Sequence, residues 1–227
     1  MTTATANDLT LPLIGRRHHF LLRRLHSLTG IVFGGYLVVH LIVNATLAQG
    51  GQVYQLQVNK IHELPFVWAI EWLFIFLPII YHAVYGLWIT FTAQWNLDRY
   101  PYEKNVFYVL QRISAIILAF FIAFHIFAMR GLLGGTLSFN PEQASKTVVA
   151  HMNAHWWVYP IYVIGILASC YHLSNGFWTA AITWGLTISA GAQRRWGWIC
   201  AVLFVFTLTC GMLAFGASIA RRHVAYP

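Results

Sequence analysis

An all-α integral membrane fold, organised as one domain over residues 1–227, is predicted by three observations on the sequence. Apolar residues make up 59% of the chain and charged residues only 9%, whereas a soluble domain carries about 25% charge. The apolar residues gather in five long blocks, each able to cross a hydrocarbon layer of about 30 Å with about 20 helical residues. Trp68, Trp95, Trp156, Trp157, Trp184, Trp196 and Trp198 fall near the block ends, where indole rings favour the membrane interface. Inside lipid every backbone N–H and C=O must pair within its own segment, so the blocks are helices.

The spans are expected at 28–48, 66–93, 107–129, 156–187 and 198–220, with the first four arranged as an up-and-down bundle. The second and fourth exceed the needed length and should tilt or project beyond the lipid. Residues 1–27 carry Arg16, Arg17, Arg23 and Arg24 without an apolar core. They read as a basic arm with no cleavable signal. Cytoplasmic loops are enriched in Lys and Arg. The arm, Arg99, Lys104 and Arg112 between spans two and three, and Arg194 and Arg195 between four and five all lie on one side. The other side has Lys60, Arg130 and Lys146, with Arg221 and Arg222 as a discordant pair after the last span. The N-terminus is therefore expected in the cytoplasm and the C-terminus outside. The +8 net charge serves mainly as a topology signal, is compatible with docking a soluble partner, and gives no reason to invoke nucleic acid.

Cys170, Cys200 and Cys210 lie within spans and form no CxxC or CxxCH, which argues against covalent haem and thiolate zinc. They read as small apolar packing residues. No glycine-rich phosphate loop or nucleophile motif occurs, and nothing would hold a flavin or an iron–sulfur cluster.

The histidines are more informative. His40, His82, His125 and His172 sit deep in four consecutive spans, where an ionisable group is costly and usually functional. At the helical rise, His40 lies about 18 Å and His125 about 27 Å from the cytoplasmic ends of their spans. His82 and His172, on spans running inward, lie about 16 and 22 Å from the cytoplasmic ends, which overshoot the lipid. In an up-and-down bundle the first span faces the third and the second faces the fourth. His40/His125 and His82/His172 thus form two pairs at two levels, the outer and the inner. A zinc cage would need four ligands at one depth. Two stacked bis-histidine haem sites suit a transmembrane electron wire, and bis-imidazole ligation leaves no open iron position.

Neighbouring residues fit the same reading. Spans two and four share Tyr81-His82-x-x-x-Gly86-x-Trp88 and Tyr171-His172-x-x-x-Gly176-x-Trp178. Gly86 and Gly176 leave room for a flat macrocycle or serve close helix packing, as do Gly30 and Gly34. Arg24, His26, Ser27 and Arg112 are candidates to neutralise haem propionates. His62, Glu63 and Glu71, near the outer end of the second span, are weak candidates for a quinone site that handles protons. His62, His151 and His155 are expected as exposed interfacial histidines, and His18, His19 and His223 as tail residues.

Several runs carry a family resemblance: Arg23-Arg24-Leu25-His26-Ser27-Leu28, His40-Leu41-Ile42-Val43-Asn44, and Phe76-Leu77-Pro78-Ile79-Ile80-Tyr81-His82-Ala83-Val84-Tyr85-Gly86. Leu110-Gln111-Arg112-Ile113 with His125, His172-Leu173-Ser174-Asn175-Gly176-Phe177-Trp178 and Thr183-Trp184-Gly185 complete it. Nearly the whole chain resembles the five-helix dihaem cytochrome b anchor of succinate:quinone oxidoreductases and related fumarate reductases. The resemblance implies two haem b groups, the distal one on His40 and His125 and the proximal one on His82 and His172. It also implies a flavoprotein and an iron–sulfur subunit as partners, a bacterial cytoplasmic membrane, and a quinone, expected to be menaquinone, as electron acceptor. The dicarboxylate site would lie in the flavoprotein. Some fumarate reductases of this type carry a glutamate two residues before the ligand on the fourth span. Cys170 stands there in this chain, which puts that proton path in doubt. Two other readings are the cytochrome b subunit of a different quinone-linked dehydrogenase and a haem-free transporter or structural protein with buried histidines. Haem content separates the last from the rest.

Overall fold

The computed structural model describes residues 13–94, 97–99, 101–133 and 138–221, with backbone alone for 13–17. Trp95, Arg222, His223 and the arm before residue 13 lie outside the described residues, and Arg16 and Arg17 are described by backbone only. Among the described residues the chain is helical without strands: α1 (Leu13–Ala45), α2 (Gly51–His62), α3 (Val67–Glu71), α4 (Leu77–Thr92), α5 (Glu103–Met129), α6 (Ala144–Asn153), α7 (Val158–Thr183) and α8 (Ala190–Ala220).

Four stretches, His18–Ala48, Val67–Thr92, Glu103–Met129 and Ala190–Ala220, are long and apolar enough to cross a membrane. A fifth is α7, which meets that test together with the segment Pro141–Asn153, from which it bends by 107°. Large apolar side chains such as Val84, Phe91, Phe120 and Val202 point outward and uncovered, as a lipid solvent requires. Helices α1, α5 and α8 begin before the predicted spans, because hydropathy marks only the lipid-immersed part, while the helices of the second and fourth spans fall just inside theirs. The start of α8, for example, is set by Ser189, whose hydroxyl accepts from the Ala192 N–H at 3.2 Å, an N-cap well before the apolar run.

The second span is continuous but not uniform. Residues Trp72–Phe76 form a π-helical turn between α3 and α4, just before Pro78. Proline has no N–H to return to the preceding turn and its ring crowds the carbonyl four residues back; one extra residue in that turn relieves both. Two helices stop on glycine. Gly131 (φ 75°) and Gly185 (φ 74°) take the left-handed conformation after α5 and α7. The bonds Leu132 N to Phe127 O and Gly131 N to Ala128 O, and likewise Leu186 N to Ala181 O and Gly185 N to Ile182 O, are the paired closures of a Schellman motif.

Helices α1, α4, α5 and α7 form a ring in which α1 touches α4 and α7, and α5 touches α4 and α7. The diagonals α1–α5 and α4–α7 enclose a central cavity. Helix α8 packs outside, against α1 and α7, through Leu41, Ile166, Cys170 and Cys210. Cys170 is fully buried there, a packing residue as its sequence context suggested. The segments expected as outer loops need correction: α2 and α6 are helices that pack on each other across one end of the bundle. Leu47, Tyr54, Val58, Ala144 and Val149 form their shared core. Helix α2 buries one stripe, Gly51, Tyr54 and Val58, and at 12 and 10 residues both helices are too short to cross a bilayer by themselves.

Candidate functional site

Each helix of the ring brings one of the four mid-span histidines to the cavity, whose volume is about 1360 Å³. The His40 and His125 rings face each other across the α1–α5 diagonal, with centroids 5.9 Å apart and planes at 82°. Across the α4–α7 diagonal His82 and His172 do the same at 6.1 Å and 89°. In all four rings Nδ1 is engaged. His40 Nδ1 lies 3.3 Å from the Tyr36 hydroxyl and His125 Nδ1 2.9 Å from that of Tyr162. His82 Nδ1 donates to the His26 carbonyl at 3.0 Å, and His172 Nδ1 lies 3.1 Å from Ser114 Oγ. Nε2 of each ring is thereby the nitrogen able to ligate a metal.

The two pairs lie at separate levels. A Cβ on Gly30 of α1 would meet the His82 ring, and His40 comes ten residues later, about 15 Å at the helical rise. Tyr162 touches His125 and Ser114 touches His172, and the ten-residue step along α7 and the eleven-residue step along α5 give about 15–17 Å.

Around His82 and His172 the polar side chains gather. The His26 ring stacks on His82 at 4.0 Å between centroids, 11° from parallel. His26 Nδ1 and Arg112 Nε are buried with no hydrogen-bond partner. Arg112 lies over the Tyr108 ring, its Cζ 3.4 Å from the centroid. His26, Ser27, Arg112, Gly86 and Gly176 all line the cavity. Arg24 does not; its guanidinium sits over the Trp184 ring at 4.7 Å, and the cavity wall has Arg23 in its place. Ser27 Oγ accepts from Trp184 Nε1 at 3.0 Å. A Cβ on Gly86 would fall 2.9 Å from the His26 ring, while one on Gly176 would make only ordinary contact with Gln111. The repeated Tyr-His pairs anchor their helices alike: Tyr81 OH donates to Leu22 O and Tyr171 OH to Phe107 O, both at 3.1 Å.

At the α2/α6 end, His62 and Glu71 line the cavity, and Glu63, exposed at the end of α2, does not. His62 Nδ1 donates to Val58 O at 2.9 Å. Glu71 pairs with Arg130 at 3.1 Å, a cation that sequence reasoning treated only as a loop charge. Tyr54 OH donates to Asn44 Oδ1 at 3.4 Å, and burial, with Tyr36 near it, pushes the Tyr54 phenol up to about 12. His155 is exposed and stacks on Trp157. His151 is the correction: it is fully buried, its Nε2 2.7 Å from the Tyr162 hydroxyl. The reason is α6, which carries His151 inward where a loop would have left it in solvent.

Residues 94–209 match the succinate dehydrogenase/fumarate reductase transmembrane subunit family. The chain is 36% identical over 201 residues to the succinate dehydrogenase cytochrome b558 subunit of Bacillus subtilis, covering 87% of this chain and 96% of the relative. The chain belongs to the succinate dehydrogenase/fumarate reductase transmembrane subunit family. It is also 22% identical over 215 residues to the fumarate reductase cytochrome b subunit of Wolinella succinogenes, covering 86% of this chain and 80% of that one.

As a cytochrome b subunit of this family the chain has haem as its implied cofactor, and the residues present fit that group. Two metal–nitrogen bonds of about 2 Å in line, with half a ring at each end, put imidazole centroids about 6 Å apart. Both pairs have that spacing. An imidazole ligand normally gives its second nitrogen to a hydroxyl or carbonyl that fixes its tautomer, as all four do here. The cavity exceeds the roughly 300–1,000 Å³ of a single-ligand pocket. The orphaned His26 Nδ1 and Arg112 Nε suit an anionic edge. Among the described residues no three His, Cys, Asp or Glu side chains converge as a metal cluster. Sequence reasoning missed Tyr162, Ser114 and Arg23. Only Tyr36, one helical turn before His40, carried a signal in its spacing.

Proposed function

We propose that this family member carries two haem b groups, one between His40 and His125 and one between His82 and His172. In this reading it takes electrons from an iron–sulfur subunit and delivers them to a membrane quinone, with menaquinone the expected species. The observation that supports this best is the pair of facing imidazoles on each diagonal, at about one haem's ligand spacing and two separate levels. Haem held by two imidazoles supplies one-electron transfer with no position open to oxygen.

The chain's own residues do the rest. His26, Ser27, Arg23 and Arg112 bind and neutralise the propionates of the inner group. Tyr36, Tyr162, Ser114 and the His26 carbonyl hold the four ligand rings in one tautomer. Gly30 and Gly86 let α1 and α4 approach with His82 and His26 between them. At the α2/α6 end, His62 and Glu71 are among the polar groups lining the cavity, where a quinone would be reduced and protonated. Cys170, fully buried, supplies no carboxylate for a glutamate-type proton path at its position.

In this reading the protein is the electron-transfer and quinone-reactive subunit of the complex, in a bacterial cytoplasmic membrane with its N-terminus inside. The iron–sulfur subunit, carrying the flavoprotein, docks on the face where Lys104, Arg194 and Arg195 lie. Succinate added to the assembled complex is expected to reduce both b components, and a water-soluble quinone to reoxidise them. Bands reduced by dithionite yet silent to succinate in an intact complex would contradict the proposed electron path.

A further inference from the structure

His151 has no exposed surface and comes from α6, outside the ring of four helices, yet it reaches the hydroxyl of Tyr162. That hydroxyl is shared: His151 Nε2 lies 2.7 Å away and His125 Nδ1 2.9 Å. Apolar and aromatic side chains close the site. Ala128, Met152, Val158 and Tyr162 form a buried cluster with Phe121, Phe124 and Trp157 against it. The Phe121 ring stacks on His125 and the Phe124 ring tilts onto His151.

A phenol has one hydrogen and here meets two ring nitrogens. If both nitrogens were acceptors, one bond would go unmade in a dry site, at a cost of about 1–3 kcal/mol. One nitrogen must therefore donate. On the proposed function, from which this step proceeds, His125 gives its Nε2 lone pair to iron, so its proton sits on Nδ1. His125 Nδ1–H then donates to the Tyr162 oxygen, and the Tyr162 hydroxyl must donate to His151 Nε2. The His151 proton is left on Nδ1. All three side chains are fixed in one order.

We infer that the His151–Tyr162 pair is a hydrogen-bonded strut that orients His125 and sets its electron richness, so that α6 tunes the redox potential of the outer haem alone. An acceptor behind a ligating imidazole raises its basicity, which stabilises the oxidised iron and lowers the potential. A phenol whose own proton is taken by a further acceptor is the stronger acceptor, which gives His151 its part. Both are positioning residues, since neither reaches the iron. The counterpart on the other side, Tyr36 on His40, is longer at 3.3 Å, and among the described residues no second ring nitrogen meets the Tyr36 hydroxyl. The asymmetry puts the tuning on His125.

The test is a redox titration of the assembled complex carrying Tyr162→Phe, His151→Leu or His151→Gln. Tyr162→Phe is expected to raise the potential of the outer haem and leave the inner one unchanged. His151→Leu should raise it in the same direction by less. His151→Gln keeps an oxygen that can accept from the phenol and should restore the wild-type value. Unchanged outer potentials in both Tyr162→Phe and His151→Leu would overturn the inference, as would equal shifts in His151→Leu and His151→Gln, which mark loss of packing alone. If Tyr162→Phe loses the outer haem, the two His151 variants decide by the same comparison. Wild-type complex without haem would instead defeat the proposed function itself, which separates the two failures.

Discussion

A complex carrying His82→Ala or His172→Ala is expected to assemble with one b haem per chain in place of two, and the haem it keeps is the one between His40 and His125. His40→Ala or His125→Ala should do the reverse. The expectation follows from the levels. The pairs are separated by about 15 Å along three different helices, share no ligand, and have separate Nδ1 partners in Ser114, Tyr162, Tyr36 and the His26 carbonyl. Sites that far apart without common partners behave almost independently. The measurement is haem per chain with a redox titration of what remains. The inner pair should vanish from the titration without moving the outer potential by more than the loss of a neighbouring charge allows. Loss of both components equally in each of the four variants, in complexes that still assemble, would count against separate sites.

The second large effect is expected from a single methyl group. A Cβ on Gly30 would fall 2.5 Å from His82 Cε1 and 2.8 Å from Nδ1, far inside contact distance. The His82 ring cannot swing away freely, because Nδ1 is held by the His26 carbonyl and its face lies on the His26 ring. Gly30→Ala should therefore displace His82 and abolish or severely weaken the inner haem, while the outer one survives. Gly35, five residues further along the same helix, has nothing within 4 Å of its Cβ position. Gly35→Ala should leave both haems intact and stabilise α1 by about 0.5–1 kcal/mol through helix propensity alone. Visible spectra of the two variants side by side check this. Gly30→Ala with two unaltered b components would contradict the geometry of the inner site.

Much of this architecture was legible in the residues themselves. Long apolar blocks with few charges can only be helices in lipid, and the observed helices contain most of each expected span. The depth of His40, His82, His125 and His172 was legible too, because rise per residue converts sequence position into height. That arithmetic set His40 level with His125, and the structure has their rings 5.9 Å apart. What could not be read was contact across helices. Tyr162 and Ser114 meet their histidines from other helices, with no spacing to announce it. Arg23 and Arg24 are neighbours of equal charge, and only the turn of α1 decides that Arg23 faces the cavity while Arg24 lies on Trp184. Helices α2 and α6 escaped notice since they are short, 12 and 10 residues, and lie between the long apolar blocks. With α6 unseen, His151 looked like a surface residue, and the strut behind His125 was invisible.

That four histidines hold two haems is tested most directly by the haem count of the purified complex. A pyridine haemochrome assay with a redox titration should give two b haems per chain, resolved at separate potentials. A correctly assembled complex with no haem would contradict it outright and leave the buried histidines as polar contacts between helices.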